Sequence, residues 1–488
     1  MNLLQNIPWL VLLVVLPLAG SMLCFLFPQR GKLLGLMTAL AIAASVLALT
    51  YQIMGQVVNQ GALRYAVGGW GAPLGINLYV DGLSLLMLLV TALVGLAISI
   101  YSSGYFNNDK AKHFWPLWML LWAALNALFL SADIFNLYVT LELMGLAAVA
   151  LVALAGGADA LAGAMRYLLV SLLGSLCYLL GVALLYHSFG SVDIVTLGQR
   201  MESSPAVWAA VGLMTTGLLL KTALFPLHFW LPPAHASAPA PVSALLSALV
   251  VKASFYILLR LWLEVFPVAS ASLEQSLGQL LGLLGVAAVL WGGVQALRQT
   301  RLKLLVAYST VAQIGYLFLA FPLASIIGWK AAFYMLLSHA VAKTAMFLAA
   351  GNIMFYGGHD RIVDLDQVAH RLPLTLSAFG LAGISLMGLP PSGGFIAKWL
   401  LLEAAILSGQ WWWGIILIVG GLLTGAYVFK VIGYAFIESD LPHESRAVPK
   451  RMEWVALILA LLAIAMGLIV PRLLSLMEIG SPFAGSSL

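Results

Sequence analysis

Residues 218–256 read LLLKTALFPLHFWLPPAHASAPAPVSALLSALVVKASFY, and their two lysines, Lys221 and Lys252, sit in apolar helical runs on either side of a proline-rich turn. A lysine near the centre of a membrane helix costs about 2.5–3.5 kcal/mol on insertion scales, so each needs a partner, a wet cavity or a task. Pro226 has no N–H and its ring crowds the carbonyl of Thr222, so the helix carrying Lys221 is expected to bend or open about one turn beyond that lysine. Carbonyls freed at such a break, next to a buried charge, line the polar paths of ion and proton carriers. The rest of the chain is read for what these lysines face.

Of the 488 residues, 62% are hydrophobic and only 8% charged, with a mean hydropathy of +1.03. That excludes a soluble globular protein and indicates a polytopic membrane protein in a lipid bilayer. The formal charge of +5 comes from basic residues scattered singly through short loops, with no run or stripe of the kind nucleic acid requires. Cys24 and Cys177 both lie in apolar segments and offer neither a disulfide framework nor a metal-ligand spacing. No cofactor or metal site is expected. The segment MNLLQNIPWLVLLVVLPLAGSMLCFLF lacks the basic start of a signal peptide and is read as a retained helix.

Apolar stretches of about 20 residues predict fourteen helices, at 8–27, 33–53, 79–102, 114–131, 135–156, 164–186, 207–230, 240–263, 276–296, 303–321, 327–356, 373–408, 411–436 and 453–474. The fold class expected is all-α and polytopic, one transmembrane domain over 1–488. The twelfth stretch contains GLPPSGGF at 388–395 and is expected to form two half-helices. Helices seven and twelve are both Pro-interrupted and both carry a lysine, which points to two inverted five-helix repeats. The division is 1–110 for helices one to three, 111–265 and 270–437 for the repeats, and 450–488 for helix fourteen and the C-terminus. An even helix count puts both termini on one side. The thirteen residues Arg30, Lys32, Lys110, Lys112, Arg166, Arg298, Arg301, Lys303, Arg361, Arg371, Arg446, Lys450 and Arg451 fall on one side, against Arg64, Arg200, Arg260, Lys330 and Arg472 on the other. The positive-inside rule then places both termini outside, and both helix breaks toward the cytoplasm.

Five lysines remain within helices: Lys221, Lys252, Lys343, Lys398 and Lys430. Glu142, inside helix five, is the natural counter-charge for one of them, as a switchable ion pair with Lys221 or as a fixed structural pair. Lys252 has no acidic residue in its own helix before Glu264. His339 and Lys343 lie four residues apart on one helix face, a spacing that suits a relay step. Lys398 with Glu403 beyond it suits an exit. His228 and His235 follow the proline break and are weaker candidates, His228 as a partner for a carbonyl freed there. Lys430 is expected to snorkel to the nearer membrane face. Asp81, Asp109 and Asp133 read as solvated or capping residues, and Arg298, Arg301 and Lys303 as topology determinants.

These pieces together resemble the antiporter-like subunits shared by Mrp-type multisubunit cation/proton antiporters, respiratory complex I and membrane-bound hydrogenases. The matching segments are DIFNLYVTLELMG with Glu142, LLLKTALFPLHFWLPPAHASAPAPVSALL with Lys221, VVKASFYILLR with Lys252, RLKLLVAYSTVAQIGY, HAVAKTAMFLAAG with His339 and Lys343, and GLPPSGGFIAKWLL with Lys398. The resemblance covers nearly the whole chain. It implies fourteen helices with two inverted repeats around a central hydrophilic axis. It also implies roles: Glu142 and Lys221 as coupling pair, Lys252 as central relay, His339 and Lys343 as its continuation, and Lys398 as the terminal group opening outward. A lysine at 398 is similar to the D-type subunits of Mrp antiporters and to some complex I subunits. Pro233 stands where the family usually has the aspartate of WLPDAH, which removes one carboxylate from the inner mouth. The chain ends soon after helix fourteen, without the lateral helix of the largest members. The implied function is proton movement coupled to sodium exchange within a complex of membrane subunits in a bacterial cytoplasmic (inner) membrane. The alternatives are a proton-pumping subunit of a complex I-like or hydrogenase-like redox enzyme, the proton-conducting subunit of an inorganic-carbon uptake complex, and an inert scaffold.

Overall fold

The computed structural model describes residues 9–28, 31–72, 75–266, 271–438 and 446–483. Arg30, counted above among the basic loop residues, lies outside them. Helices α1 (Trp9–Leu26) and α2 (Gly31–Gln60) lead into a two-stranded antiparallel hairpin, β1 (Leu63–Ala66) and β2 (Asn77–Val80), with Leu63 opposite Val80. The hairpin is an addition to the all-α expectation. After it come α3 (Gly82–Tyr105), α4 (Asn108–Leu130), α5 (Ile134–Ala153), α6 (Gly157–Phe189), the short α7 (Ile194–Arg200) and α8 (Pro205–Thr222). The next crossing joins α9 (Leu231–Ser237) to α10 (Ala240–Leu245), a π-helical turn (Leu246–Val250) and α11 (Val251–Glu264). The second half comprises α12 (Ala271–Arg298), α13 (Leu302–Phe318), α14 (Ala320–Leu323), α15 (Ile326–Gly357), α16 (Val368–Arg371), α17 (Pro373–Met387), α18 (Gly393–Leu407), α19 (Trp412–Tyr434), α20 (Lys450–Ala465) and α21 (Val470–Glu478).

Among the described residues thirteen spans are long and apolar enough to cross a membrane, and the broken pair α17 and α18 adds one more passage. Polar contacts sort the helix ends into two layers. At the hairpin end Arg64 pairs with Asp193, Arg260 with Asp81 and Lys330 with Glu478, and the Tyr79 hydroxyl donates to the Gly480 carbonyl. At the far end Lys110 donates to the Ala155 carbonyl, Arg301 pairs with Asp360, and Arg451 donates to the Ser103 carbonyl. The basic residues in these contacts thus divide between the two ends as the sequence divided them. Within the described residues, α1 begins and α21 ends at the hairpin end.

Both predicted breaks are present, built by one local device. Helix α8 stops at Thr222, one residue after Lys221 and earlier than expected, because Pro226 cannot share a helix with the Thr222 carbonyl. Ala223 turns left-handed at φ 59°, with Leu224 N–H donating to the Leu219 carbonyl and Ala223 N–H to that of Leu220. Helix α17 ends the same way. Gly388 takes φ 84°, Leu389 N–H reaches the Ile384 carbonyl and Gly388 N–H that of Ser385. Each is a Schellman closure. Ser392 then restarts the chain, its hydroxyl accepting from Phe395 N–H at 3.2 Å to cap α18.

Two expectations change, and the capping reading of Asp81 and Asp133 holds. The second break lies midway between two 15-residue half-helices, so only the first lies toward the far end. The last crossing is shorter than 453–474: it closes with a 3-10 turn at Met466–Leu468, and Pro471 opens the separate α21. Asp81 caps α3 and Asp133 caps α5, but Asp81 is fully buried rather than solvated, because Arg260 is buried with it.

Candidate functional site

The intramembrane lysines are drawn from different helices, and all but one are held by neutral oxygen. Lys221, on the last turn of α8, donates to the Ser171 hydroxyl at 2.8 Å and lies 3.7 Å from the Glu142 carboxylate on α5. Glu142 also accepts from Ser175, one turn along α6 from Ser171. Gly145 leaves room for this cluster, since a Cβ there would stand 2.8 Å from the Ser171 hydroxyl and 3.5 Å from Lys221 Nζ. The predicted pair therefore forms, with two serines completing its shell. These serines carried no signal in the sequence, because hydroxyls are common in membrane helices.

Lys252 is fully buried just beyond the π-helical turn, and its ammonium takes the Ser247 carbonyl. A π turn displaces one main-chain bond, and here the lysine occupies the acceptor. Ser247 carries the contact onward, its hydroxyl lying 2.9 Å from that of Thr310 on α13. Beside Thr310, Ser309 accepts from Lys343 of α15, and Lys343 also donates to the Val306 carbonyl at 2.9 Å. One turn further along α13, Gln313 donates to the Leu386 carbonyl at 3.2 Å. Lys398 holds that same carbonyl and the Met387 carbonyl, each at 3.0 Å, with its ammonium 4.4 Å from the centroid of the Tyr316 ring. A terminal cation satisfying the last carbonyls of α17 also suits the helix dipole.

Between Lys252 and Lys398 three groups of contacts thus follow one another along α13, at Thr310, at Ser309 and at Gln313, each setting a lysine against hydroxyl, amide or main-chain oxygen. Among the described residues no hydrogen bond joins Lys221 directly to Lys252. His339 is buried within electrostatic reach of Lys252, Lys343 and Lys398, and neither ring nitrogen has a hydrogen-bond partner among the described residues. Glu403 is half-buried and makes no ion pair among the described residues. Five residues along a helix is a turn of about 140° away from Lys398, so the two do not share a face. His228 lies in the break with its ring 5.4 Å from that of Phe225, and it reaches the main chain of Pro226. Lys430 donates to the Leu297 and Gln299 carbonyls at 2.9 and 2.8 Å, closing the C-terminal end of α12 at the far end.

Two residues matter more than the sequence indicated. Lys303 is buried, its ammonium on the Ala236 and Ala238 carbonyls that follow the first break. His235 is buried beside the Ser243 main chain, within reach of Lys303, Lys343 and Lys252, and its ring stacks on Phe347 at 5.2 Å. A far-end cavity of about 640 Å³, lined by Lys32, Lys110, Lys303 and Arg446, opens against this loop. A neighbouring cavity of about 580 Å³ places Pro233 with Asp159, Arg166 and Arg301, so Asp159 supplies a carboxylate at that mouth. Near the other end of this row, an apolar crevice of about 560 Å³ between α18 and α19 reaches Lys398. Among the described residues no group of three or more His, Cys, Asp or Glu side chains is placed to hold a metal.

Residues 131–424 match the family model described as NADH:quinone oxidoreductase/Mrp antiporter, TM, and residues 70–114 match that for the N-terminus of chain 5 of NADH-ubiquinone oxidoreductase (complex I). The chain belongs to this family of membrane proteins. It is 36% identical to the N subunit of the NADH-quinone oxidoreductase of Desulforudis audaxviator, over 88% of this chain and 86% of that protein. Identity to the D subunit of the Na(+)/H(+) antiporter of Bacillus subtilis is 27% over 94% of both chains. In three dimensions it resembles a chain of the Mrp complex from Dietzia sp. DQ12-45-1b, with a TM-score of 0.89, 27% identity and 97% of each chain covered. The family resemblance read from the motifs therefore stands, and this neighbour in space is part of a multisubunit membrane complex.

Proposed function

We propose that this chain is the proton-translocating subunit of a multisubunit monovalent cation/proton antiporter, of the D type found in Mrp complexes, with sodium as the coupled cation. The observation that carries this reading is the row of polar contacts along α13, Lys252–Ser247–Thr310 and Lys343–Ser309 on adjacent residues and Gln313–Leu386–Lys398 one turn further on, with the Glu142–Lys221 pair as a separate cluster beside it. An amine resting on a neutral oxygen can take up or release a proton without breaking an ion pair, whereas Lys221 does so only when its carboxylate moves. Opening of the pair therefore sends charge toward Lys252, and His339 with Lys343 passes it to Lys398. The five-helix units 111–265 and 270–437 would each carry one broken helix of this path. The far-end cavities are the natural inlet, and with both termini outside they face the cytoplasm. The bacterial inner membrane is the site proposed, with other membrane subunits as partners.

A second reading rests on the 36% identity to the N subunit of an NADH-quinone oxidoreductase, in which electron transfer in partner proteins drives the same relay. Native purification in mild detergent with mass spectrometry of the partners separates the two. Small hydrophobic partners without cofactors support the antiporter, and sodium-dependent proton flux in vesicles follows. Co-purifying flavin, iron–sulfur or nickel proteins would replace the antiporter by a redox-driven pump.

A further inference from the structure

On α11 the residues Lys252, Tyr256, Arg260 and Glu264 recur every four positions, which makes a stripe that winds about 120° around the helix from the middle of the molecule to the hairpin end. Its outer part is tied together completely. Arg260 Nε donates to the Tyr256 hydroxyl at 3.0 Å, Nη1 and Nη2 reach Asp81 at 2.7 Å each, and Nη1 also reaches Glu264 at 2.5 Å. Nη2 donates to Ser84 Oγ at 3.1 Å, and that hydroxyl lies 3.2 Å from the Tyr256 hydroxyl. The rings of Tyr79 and Tyr256 cover the guanidinium at 5.6 and 5.3 Å. Beyond it, Glu264 borders a small crevice of about 40 Å³ shared with Arg64 and Tyr79.

Lys252 and the Tyr256 hydroxyl share no hydrogen bond among the described residues, but one turn of helix separates them, and a relay that leaked from Lys252 along this stripe to the hairpin face would bypass Lys343 and Lys398. Arg260 stands across it. A guanidinium keeps its charge at all physiological pH values, so it cannot serve as a stepping stone for a proton, and arginines placed in narrow polar paths exclude protons and cations. It also holds Asp81 and Glu264, the carboxylates that would otherwise carry a proton outward, in ion pairs. A buried ion cluster is weak evidence for added stability, since apolar residues of similar volume often stabilise as well or better. Its position on the stripe is what calls for an account.

We propose that Arg260 is a stopper that closes the direct route from Lys252 to the hairpin end and so forces charge along the lateral row to Lys398. This rests on the relay reading given above. The test uses the native complex in liposomes with a pH dye inside. Passive proton leak is read under a potassium diffusion potential of either sign, and driven transport is read separately. Arg260→Gln is expected to raise the leak by about tenfold or more, because it removes the fixed charge and frees both carboxylates. Adding Lys252→Ala should abolish the extra leak, and Arg260→Lys, which keeps a cation in place, should leak far less. If Arg260→Gln does not assemble, Arg260→Ala with Asp81→Asn removes the buried pair together and frees Glu264 alone, so a smaller extra leak, again dependent on Lys252, is expected. An assembled variant with wild-type leak and intact driven transport overturns the stopper and leaves the relay standing. Extra leak that persists without Lys252 overturns it too, as a packing defect. Intact driven transport in Lys252→Ala alone would instead bring down the relay.

Discussion

Replacing Glu142 by glutamine keeps its volume and a partner for Ser175 but removes the charge facing Lys221. Two unit charges 3.7 Å apart attract by roughly 4.5 kcal/mol at an effective dielectric constant near 20. Breaking a buried pair costs about 3–5 kcal/mol, and with the Glu142 side chain 20% exposed the lower part of that range applies. A fall of at least tenfold in driven proton flux requires only about 1.4 kcal/mol of that change. The assay is driven flux into vesicles holding the native complex, with recovery and thermal unfolding of the complex measured alongside. Glu142→Gln and Lys221→Met should each lose both flux and some stability, since each strands a buried charge. The double variant leaves no charge unpaired and should regain stability while flux stays lost. A purely structural pair would behave differently, with flux returning in step with stability. Wild-type flux in Glu142→Gln would refute the reasoning just as directly.

Lys398→Ala strands the Met387 carbonyl at a helix end, at about 1–3 kcal/mol for an acceptor left without a partner, while Gln313 still donates to the Leu386 carbonyl. It should abolish flux with a measurable drop in thermal stability, and unchanged flux would remove the outlet from the relay. Lys430→Ala loses two main-chain contacts at a part-exposed site, worth about 1 kcal/mol each, and flux should stay near wild type. A loss as severe as that of Lys398→Ala would show that the far end carries the path. Gln313→Leu interrupts the step between Ser309 and the Leu386 carbonyl, so driven flux should drop severalfold without loss of assembly. Full flux in that variant would mean that charge passes from Lys343 to Lys398 without α13.

The membrane class, the helix count and both breaks were legible because lysine and proline are expensive in a bilayer and stand out against apolar runs. That Glu142, Lys221, Lys252, His339, Lys343 and Lys398 lie within membrane spans, Lys398 in the broken one, was legible for the same reason, since an ionisable side chain is expensive there. What the lysines touch was not. Ser171, Ser175, Ser309 and Thr310 are ordinary residues in membrane helices, and only the packing of α6 and α13 turns Ser171 and Ser309 toward an ammonium, Ser175 toward Glu142 and Thr310 toward Ser247. Main-chain acceptors such as those of Ser247 and Leu386 have no sequence signature, since they depend on a π turn and a Schellman closure. Lys303 and Arg260 were misjudged because they lie near helix ends, where a basic residue normally reaches water. Here neighbouring segments cover them. The hairpin was missed because its strands are four residues each and flank a Gly-rich turn.

Helix α15, which carries Lys330, His339 and Lys343, is enclosed by protein along its whole apolar stretch and is among the least apolar of the spans. A segment of that kind partitions poorly into lipid alone, because three ionisable groups must leave water before their acceptors exist. Its insertion depends on α13, already made when α15 emerges, and on α17 and α18, which are synthesised later. During biogenesis the centre of the path is therefore the last part to become stable. Chain lesions anywhere in these neighbours should appear first as failed integration and degradation of the protein, before any change in ion selectivity or rate is measurable.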